Sequence, residues 1–225
     1  MWCTETKGIA TIAEDYYRNL FTASNNLNMD GVLAFVERVV TEDMARSLVR
    51  TYMKDEVRVA LFQMHPSKAR GPNGMSPFFF QNFWHIVGHD VTSTVLSMLH
   101  SRIYLHKMNF THIVLIPKKN NPQYITEYRL ISLGNVVSRI IFKVLVNCMK
   151  SILPNVISNS QSAFVPDRLI IDNTNVAFEM LQRIRNRRQG KVGHMATKFD
   201  ISKAYDKVEW EFLERIMLRL GFSVP

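Results

Sequence analysis

The sequence predicts an α+β chain in which helices predominate. Three observations lead to this class: apolar residues recur at helical spacing through most of the chain, two short β-prone runs flank a polar turn, and a third strand-like run precedes a last helix. Hydrophobic residues make up 47% of the 225 positions, which is enough to bury a core. We therefore expect one large domain or two small ones.

Residues 1–65 are predicted to form a helical lead-in. The segment IATIAEDYYRNLF places its apolar residues on one stripe, and KDEVRVALFQM does so less regularly. The next segment, HPSKARGPNGMSP, is rich in proline and glycine, which favours a loop over a helix or a strand. This loop is the clearest predicted boundary.

Residues 66–190 are predicted to combine helices with one hairpin. FFFQNFWHIVGHDVTSTVLSMLHSRIY has the pattern of two helices interrupted near Gly88. THIVLIPKK and YRLISL are predicted strands joined by the polar turn NNPQ. NVVSRIIFKVLVNCMKSIL predicts an amphipathic helix ended by Pro154, and IIDNTNVAFEMLQRIRNRRQ predicts another helix.

Residues 191–225 are predicted to contain one strand, HMATKFD, and one helix that starts near Lys207 and is ended by Gly221. Asp206 precedes Glu209 by three residues, a capping-box pattern, so a helix N-cap is favoured over catalysis for Asp206. Asp200 stands at the end of the strand, where a carboxylate is well placed to bind a divalent metal ion. A turn-forming aspartate is the alternative for Asp200.

The composition argues against a secreted or membrane-spanning protein. Only two cysteines occur, Cys3 and Cys148, and the amino terminus lacks the basic and apolar regions of a signal peptide. No apolar run approaches the roughly 18 residues that a membrane span requires. We expect an intracellular protein of the nucleus or the cytoplasm, with no membrane partner.

The formal net charge of +9 is concentrated in the middle of the chain. Residues 102–191 carry 14 Lys and Arg against 4 Asp and Glu, whereas residues 1–101 carry 9 against 10 and residues 192–225 carry 5 against 5. Clustered Lys and Arg favour a nucleic-acid partner, because phosphates that are neutralised release counterions. A solvated basic face that keeps the protein soluble explains the charge equally well.

Five segments occur in an order that is typical of one enzyme family. They are LFQMHPSKARGPNGMSPFFFQNFW, IVLIPKK, YRLISLGNVVSRIIFKVLVNCMKSILP, SQSAFVPDRLIIDNTNVAFEML and KFDISKAYDKVEWEFLERIMLRLGF. These segments resemble the reverse transcriptases of LINE-type (non-LTR) retrotransposons, particularly those of plant genomes. The resemblance implies a truncated reverse transcriptase fold: the helical lead-in (1–65), a fingers-like region (66–190) and the first strand and helix of a polymerase palm (191–225).

The resemblance also implies template-directed nucleotidyl transfer, with an RNA template, a DNA primer and deoxynucleoside triphosphates as partners and Mg²⁺ as cofactor. Asp200 matches a catalytic aspartate of the family, one of three carboxylates that hold two metal ions. Tyr205 matches the aromatic residue under the sugar of the incoming nucleotide, with a core tyrosine as the alternative. Lys118 and Arg129 match basic residues that reach the triphosphate. Lys119 could replace Lys118, and a solvated hairpin lysine is the alternative.

Further residues are implied in nucleotide or nucleic-acid binding. Gln161, Phe164 and Arg168 match a block that lines the template and nucleotide pocket. The loop that contains Lys68 and Arg70 matches a segment that covers the template strand. An arginine run at a predicted helix end either follows backbone phosphates or is an exposed helix end. It comprises Arg183, Arg185, Arg187 and Arg188.

Two departures from the family bear on the expected activity. Asp167 stands where the family usually has Gly, and a side chain there would strain a turn. The other two metal-binding aspartates of the family form an adjacent pair downstream of the first motif, and the 225 residues contain no Asp-Asp pair. We therefore expect a fragment of a reverse transcriptase that is inactive alone. A residual nucleic-acid-binding module and a relic without a biochemical role are the alternatives.

Overall fold

A computed structural model describes residues 5–23, 28–103, 106–163, 165, 167–187, 193–199, 201 and 203–223. Over these ranges the chain is mainly helical, with one two-stranded antiparallel sheet, in agreement with the α+β expectation. None of the helices described there is long and apolar enough to cross a bilayer.

The helices are α1 Thr6–Phe21, α2 Met29–Leu33, α3 Glu42–Leu48, α4 Lys54–Phe62, α5 Pro77–Asn82, α6 Trp84–Ser101, α7 His106–Asn109, α8 Val136–Met149, α9 Leu153–Val156, α10 Ile170–Asn186 and α11 Trp210–Leu220. The strands are β1 His112–Pro117 and β2 Tyr128–Leu133, and short 3-10 turns span Ile125–Glu127 and Tyr205–Lys207.

The chain divides into two compact units. The first comprises Met1–Tyr17 and Leu48–Met149, and the second comprises Arg18–Ser47 and Lys150–Pro225. The division into 1–65, 66–190 and 191–225 stays a prediction.

The core of the first unit is built from α4, α5, α6 and α8. Its fully buried side chains include Val57, Ala60, Leu61, Val95, Val136, Ile140 and Val144. On α4 the buried positions follow helical spacing, whereas Val59 and Phe62 remain about half exposed, at 50% and 48%. The apolar stripe of α4 is therefore narrower than the sequence suggested.

Both ends of α4 are held by side chains. At the start, the backbone N–H of Met53 donates to Glu56 Oε2 at 2.8 Å, and Arg50 Nη2 donates to Glu56 Oε1 at 2.5 Å. At the end, Gln81 Nε2 donates to the carbonyl oxygens of Leu61 and Met64 at 3.0 and 2.9 Å. The bonds that involve Met53 and Gln81 satisfy backbone groups that a helix leaves unpaired at its termini, and the bond from Arg50 holds the Glu56 carboxylate in place.

The stability of the first unit is expected to fall in acid in part through Glu56. Burial raises the pKa of Glu56. The hydrogen bonds from Arg50 and Met53 and the charge of Arg50 lower the pKa by more than burial raises it, so the pKa lies below the ordinary value of 4.5. A carboxyl group whose pKa is lowered on folding stabilises the folded state at pH values above its ordinary pKa. That contribution is lost as the pH falls through the folded-state pKa.

Urea denaturation of wild type and Glu56→Gln at pH 7 and at pH 3 tests this expectation. We expect Glu56→Gln to cost about 1 kcal/mol at pH 7 and much less at pH 3. An equal cost at both pH values would contradict the assigned role of the carboxylate.

Two predicted helix breaks are displaced in the structure. The break between α5 and α6 lies at Phe83, and Gly88 is buried inside α6. Gly88 is needed for packing rather than for a break, because a Cβ there would lie 2.8 Å from the indole of Trp84. Similarly, α8 ends at Met149, and Pro154 lies in the first turn of α9, where a missing N–H costs no hydrogen bond.

The predicted hairpin is confirmed. Strand β1 pairs antiparallel with β2, with Ile116 opposite Arg129. The connection is longer than the polar turn alone, because it includes the 3-10 turn at 125–127, and the backbone N–H of Lys118 donates to the carbonyl oxygen of Glu127 at 2.8 Å.

Two predictions for the second unit are wrong. Residues 193–199 form no strand, and Phe199 is 88% exposed. A strand requires a neighbour for its backbone hydrogen bonds, and within the described ranges β1 and β2 pair with each other alone. Helix α11 begins at Trp210 with Glu209 as its N-cap, so Asp206 lies in the preceding 3-10 turn and is not a helix cap.

The predicted end of α11 is confirmed. Gly221 has a φ of 103°, the left-handed conformation in which glycine ends helices. The carbonyl oxygen of Leu220 accepts hydrogen bonds from the N–H groups of Val39 and Val40 at 3.0 and 2.9 Å. The segment before α3 therefore packs against the end of α11 within the second unit.

Candidate nucleic-acid interface

Residues 65–76 of the first unit, here called the basic loop, are fixed against the start of α8. Arg139 Nη1 donates to the carbonyl oxygen of Ala69 at 2.7 Å, and the N–H of Asn73 donates to Asn135 Oδ1 at 3.3 Å. These bonds join residues more than sixty positions apart in the sequence. The loop is thus a positioned element although it contains no helix or strand.

Gly71 allows the basic loop to lie close to the residues that precede α8. A Cβ at this buried position would lie 2.6 Å from the carbonyl oxygen of Gly134 and 2.7 Å from the Cα of Asn135. Both neighbours are backbone atoms, so no side-chain rotation could relieve the clash. A residue with a side chain would therefore push the loop away from α8.

A groove of about 600 Å³ lies between the basic loop and α8 and is here called the basic groove. Its lining includes three cationic side chains, those of Lys68, Arg139 and Lys143, and the aromatic side chain of Phe142. No carboxylate contributes to the lining that the structure describes. A surface with this charge and an aromatic ring fits a phosphate backbone with bases nearby.

Sequence reasoning identified Lys68 in this groove but missed Arg139 and Lys143. The two residues lie four positions apart on α8 and therefore share one helix face. This spacing is the feature of the sequence from which a basic helix face could have been predicted. Burial lowers the pKa of Arg139, but a guanidinium remains charged at neutral pH. Arg139 thus both holds the loop and adds positive charge.

The hairpin presents its basic residues in different ways. Lys118 Nζ donates to the carbonyl oxygen of Thr126 at 2.9 Å, and Lys119 Nζ pairs with Glu127 Oε1 at 2.6 Å. The bond from Lys119, together with the N–H groups of the turn, lowers the pKa of Glu127. Arg129 is exposed on β2 and makes no side-chain hydrogen bond or ion pair to another residue that the structure describes. Of the three cations, Arg129 is the most available for a ligand.

In the second unit, Arg168 stabilises its own loop. Its guanidinium donates to the carbonyl oxygens of Ser158 and Gln161 at 2.5 and 2.8 Å and to Asn159 Oδ1 at 3.2 Å. Gln161 is exposed at the surface of this loop. Asp167, next to Arg168, has a φ of 61°, so the turn there does adopt the left-handed conformation that glycine prefers.

The remaining candidates of the second unit lie at the surface. Arg183 and Arg185 are exposed in the last turn of α10, and Arg187 contacts His194. Tyr205 is 78% exposed in its 3-10 turn, which excludes a core tyrosine in this structure. Asp200, Phe164 and Arg188 lie outside the described residues.

Comparison with known proteins identifies the family that these residues resemble. Residues 116–225 match the reverse transcriptases, or RNA-dependent DNA polymerases. The chain is also 28% identical over 211 residues to the transposon TX1 uncharacterized 149 kDa protein of Xenopus laevis. That alignment covers 93% of this chain but 16% of the Xenopus protein. The family match supports a reverse transcriptase domain, and the relative is a transposon protein.

The reverse transcriptase match covers part of the geometry described above. It includes most of the hairpin, α8 with Arg139 and Lys143, and every candidate in the second unit. The basic loop precedes the matched range, yet it is bonded to α8 inside that range. The basic groove is therefore formed jointly by matched and unmatched residues.

Polymerases of this type use divalent metal ions that carboxylates hold in place. Within the ranges given above, no group of three or more His, Cys, Asp or Glu side chains is arranged to hold a metal ion.

Proposed function

We propose that this chain is part of an RNA-directed DNA polymerase of a LINE-type (non-LTR) retrotransposon, similar to those of plant genomes. The observation that carries the proposal is the reverse transcriptase match over residues 116–225. The transposon relative from Xenopus supports an origin in a mobile element. The LINE-type and plant assignments rest on the five sequence segments and their order.

The first unit binds nucleic acid in this proposal. Lys68, Arg139 and Lys143 line the basic groove without a nearby carboxylate in its described lining, so a strand placed there meets three positive charges. Arg70, in the same loop, is exposed and extends the positive surface. This arrangement suits the RNA template, because phosphate contacts position a strand without reading its sequence.

The hairpin contributes the contact with the incoming nucleotide. Arg129 is exposed on β2, and a guanidinium can bind the oxygens of a triphosphate with two parallel hydrogen bonds. Lys118 and Lys119 lie at the adjacent turn, and each would have to exchange an internal bond for a phosphate. Arg129 is therefore the leading candidate for triphosphate binding on the hairpin.

The second unit contributes the residues that are proposed to act in nucleotidyl transfer. Asp200 is proposed as a catalytic metal ligand, Tyr205 as the residue beneath the nucleotide sugar, and Gln161 and Phe164 as pocket residues. Arg168 fits a supporting role, because its guanidinium is occupied by three bonds within its loop. Mg²⁺ would serve to stabilise the attacking and leaving oxygens of nucleotidyl transfer.

As an isolated polypeptide, residues 1–225 are expected not to extend a primer. A two-metal site needs several carboxylates, and these residues include no Asp-Asp pair that could complement Asp200. The test is extension of a DNA primer on an RNA template with deoxynucleoside triphosphates and Mg²⁺ or Mn²⁺. We expect no product, although the primer–template is bound.

Asp200→Ala provides the control for this experiment. Extension by the wild-type polypeptide that disappears in Asp200→Ala would show that the 225 residues hold a complete site and would contradict the expected inactivity. Failure to bind a primer–template at all would contradict the proposed function itself.

A nucleic-acid-binding module without catalysis is the second candidate function. The basic groove favours it, because phosphate binding there requires no metal ion and no residue of the second unit. In that case, binding would persist when Asp200 and Tyr205 are both replaced by alanine, and no polymerase activity would be found with any metal ion.

A further inference from the structure

A second groove of the first unit lies between α4 and α6 and is here called the imidazole groove. It has a volume of about 590 Å³ and shares no lining residue with the basic groove. Its chemistry is set by Lys54 and Arg58 from α4 and by Trp84, His85, His89 and His100 from α6. None of these six is a site residue implied by the reverse transcriptase resemblance, although Trp84 ends the first of the five segments that carry it.

The hydrogen-bond donors of the imidazole groove favour an anion. Lys54 and Arg58 contribute two positive charges, and the three histidines offer ring N–H groups that donate hydrogen bonds. Asp55 is the one carboxylate in the lining that the structure describes. Outside the lining, Asp90 contacts His89 Nδ1 at 3.3 Å, with both side chains 89% exposed. The donors thus outnumber the carboxylates around this groove.

Trp84 provides an aromatic wall that is held in place. Its ring lies directly over Gly88, where any side chain would clash with it. Phe62 contacts the same ring edge to face, with centroids 6.3 Å apart, and the guanidinium of Arg58 lies 5.3 Å from the Phe62 centroid. Trp84 remains partly exposed to the groove. An indole fixed on one side and open on the other can stack with a base.

We propose that the imidazole groove binds a single-stranded nucleic-acid segment, with phosphates near Lys54 and Arg58 and a base against Trp84. An inorganic anion would use the donors but not the indole, and an apolar ligand would use the indole but not the donors. A single strand uses both, because it presents phosphates and unpaired bases together. The ligand class rests on the proposed function, whereas the site itself goes beyond it.

The first test compares two identical charge reversals, Lys54→Glu and Lys107→Glu. Lys54 is the first residue of α4, where an acidic side chain is favourable to a helix, so the fold should be retained. Lys107 is exposed on α7 and lines neither groove. The probes are fluorescein-labelled oligo(U) and oligo(dT) of fifteen nucleotides, and the readout is fluorescence anisotropy at low salt.

We expect Lys54→Glu to weaken binding of at least one oligonucleotide about five- to tenfold and Lys107→Glu to weaken it less than about twofold. A larger effect on oligo(U) identifies RNA as the ligand, and a larger effect on oligo(dT) identifies DNA. Equal losses in the two variants would overturn the proposal.

The second test locates the bound strand directly. An oligonucleotide that carries 4-thiouridine is crosslinked to the wild-type chain, and the modified residue is identified by mass spectrometry. We expect crosslinks at residues 84–100, lost in Lys54→Glu. Crosslinks confined to the basic loop and the hairpin would overturn the proposal and leave the proposed function intact, whereas absence of any oligonucleotide binding would overturn both.

Discussion

Gly71→Ala is expected to destabilise the first unit by about 2–3 kcal/mol and to release the basic loop from α8. The added methyl group would lie 2.6 Å from the carbonyl oxygen of Gly134 and 2.7 Å from the Cα of Asn135. Because backbone atoms at the start of α8 cannot move without disturbing the core, the loop must move instead. The hydrogen bond from Arg139 to Ala69 would then break. Chemical denaturation measures the lost stability, and limited trypsin digestion after Lys68 and Arg70 measures the loop release.

Gly74→Asn is the matched control within the same loop. Gly74 has a φ of 71°, and no atom lies within 4 Å of the position where its Cβ would stand. Asparagine tolerates the left-handed conformation better than other residues with a side chain. We expect a cost well below that of Gly71→Ala and no faster digestion. Equal stability of Gly71→Ala and wild type would show that the loop does not pack against α8 as described.

The double variant Lys68→Glu/Arg70→Glu is expected to lose about 30- to 100-fold in affinity for an RNA–DNA primer–template at low salt. Two phosphate contacts are replaced by two repulsive charges, and each contact removed costs on the order of tenfold under these conditions. Both side chains are exposed, so stability should change by less than about 0.5 kcal/mol. Electrophoretic mobility shift or anisotropy provides the affinity, and thermal denaturation provides the stability.

Lys7→Glu/Lys107→Glu makes the same change in formal charge at two exposed helix positions that line neither groove. Its effect measures the loss that net charge alone produces, which we expect to be less than about fivefold. If the two double variants lost affinity equally, the basic loop would be no more than part of a general basic surface.

Individual helices, the hairpin and the basic loop could be predicted from the sequence, because each depends on residues that follow one another in the chain. The apolar periodicity of α8 and α10, the polar turn between β1 and β2, and the Pro- and Gly-rich loop at 65–76 each reflect a preference of consecutive residues. The predictions failed where the local structure depends on residues that are distant in the sequence. Gly88 looked like a break but accommodates the indole of Trp84, and the strand predicted after Gly193 has no partner in the described ranges.

Less of the candidate nucleic-acid interface could be predicted from the sequence. The chemistry of Lys68 and Arg70 was visible in the sequence, but their position depends on Arg139 and Asn135, which follow more than sixty residues later. Similarly, nothing in the order of residues shows that Lys118 bonds to Thr126 across the hairpin connection. Such contacts depend on packing between distant segments, which periodicity and motif spacing do not report.

The most direct test of the account is the salt dependence of primer–template binding by residues 1–225. The three cations of the basic groove, together with Arg70 in the basic loop, predict that the logarithm of the association constant falls with the logarithm of the salt concentration with a slope of about −3 to −4. Removal of Lys68 and Arg70 as phosphate contacts should reduce the magnitude of that slope by about 2. A slope near zero, or the same slope in Lys68→Glu/Arg70→Glu as in wild type, would contradict a nucleic-acid interface at the basic loop.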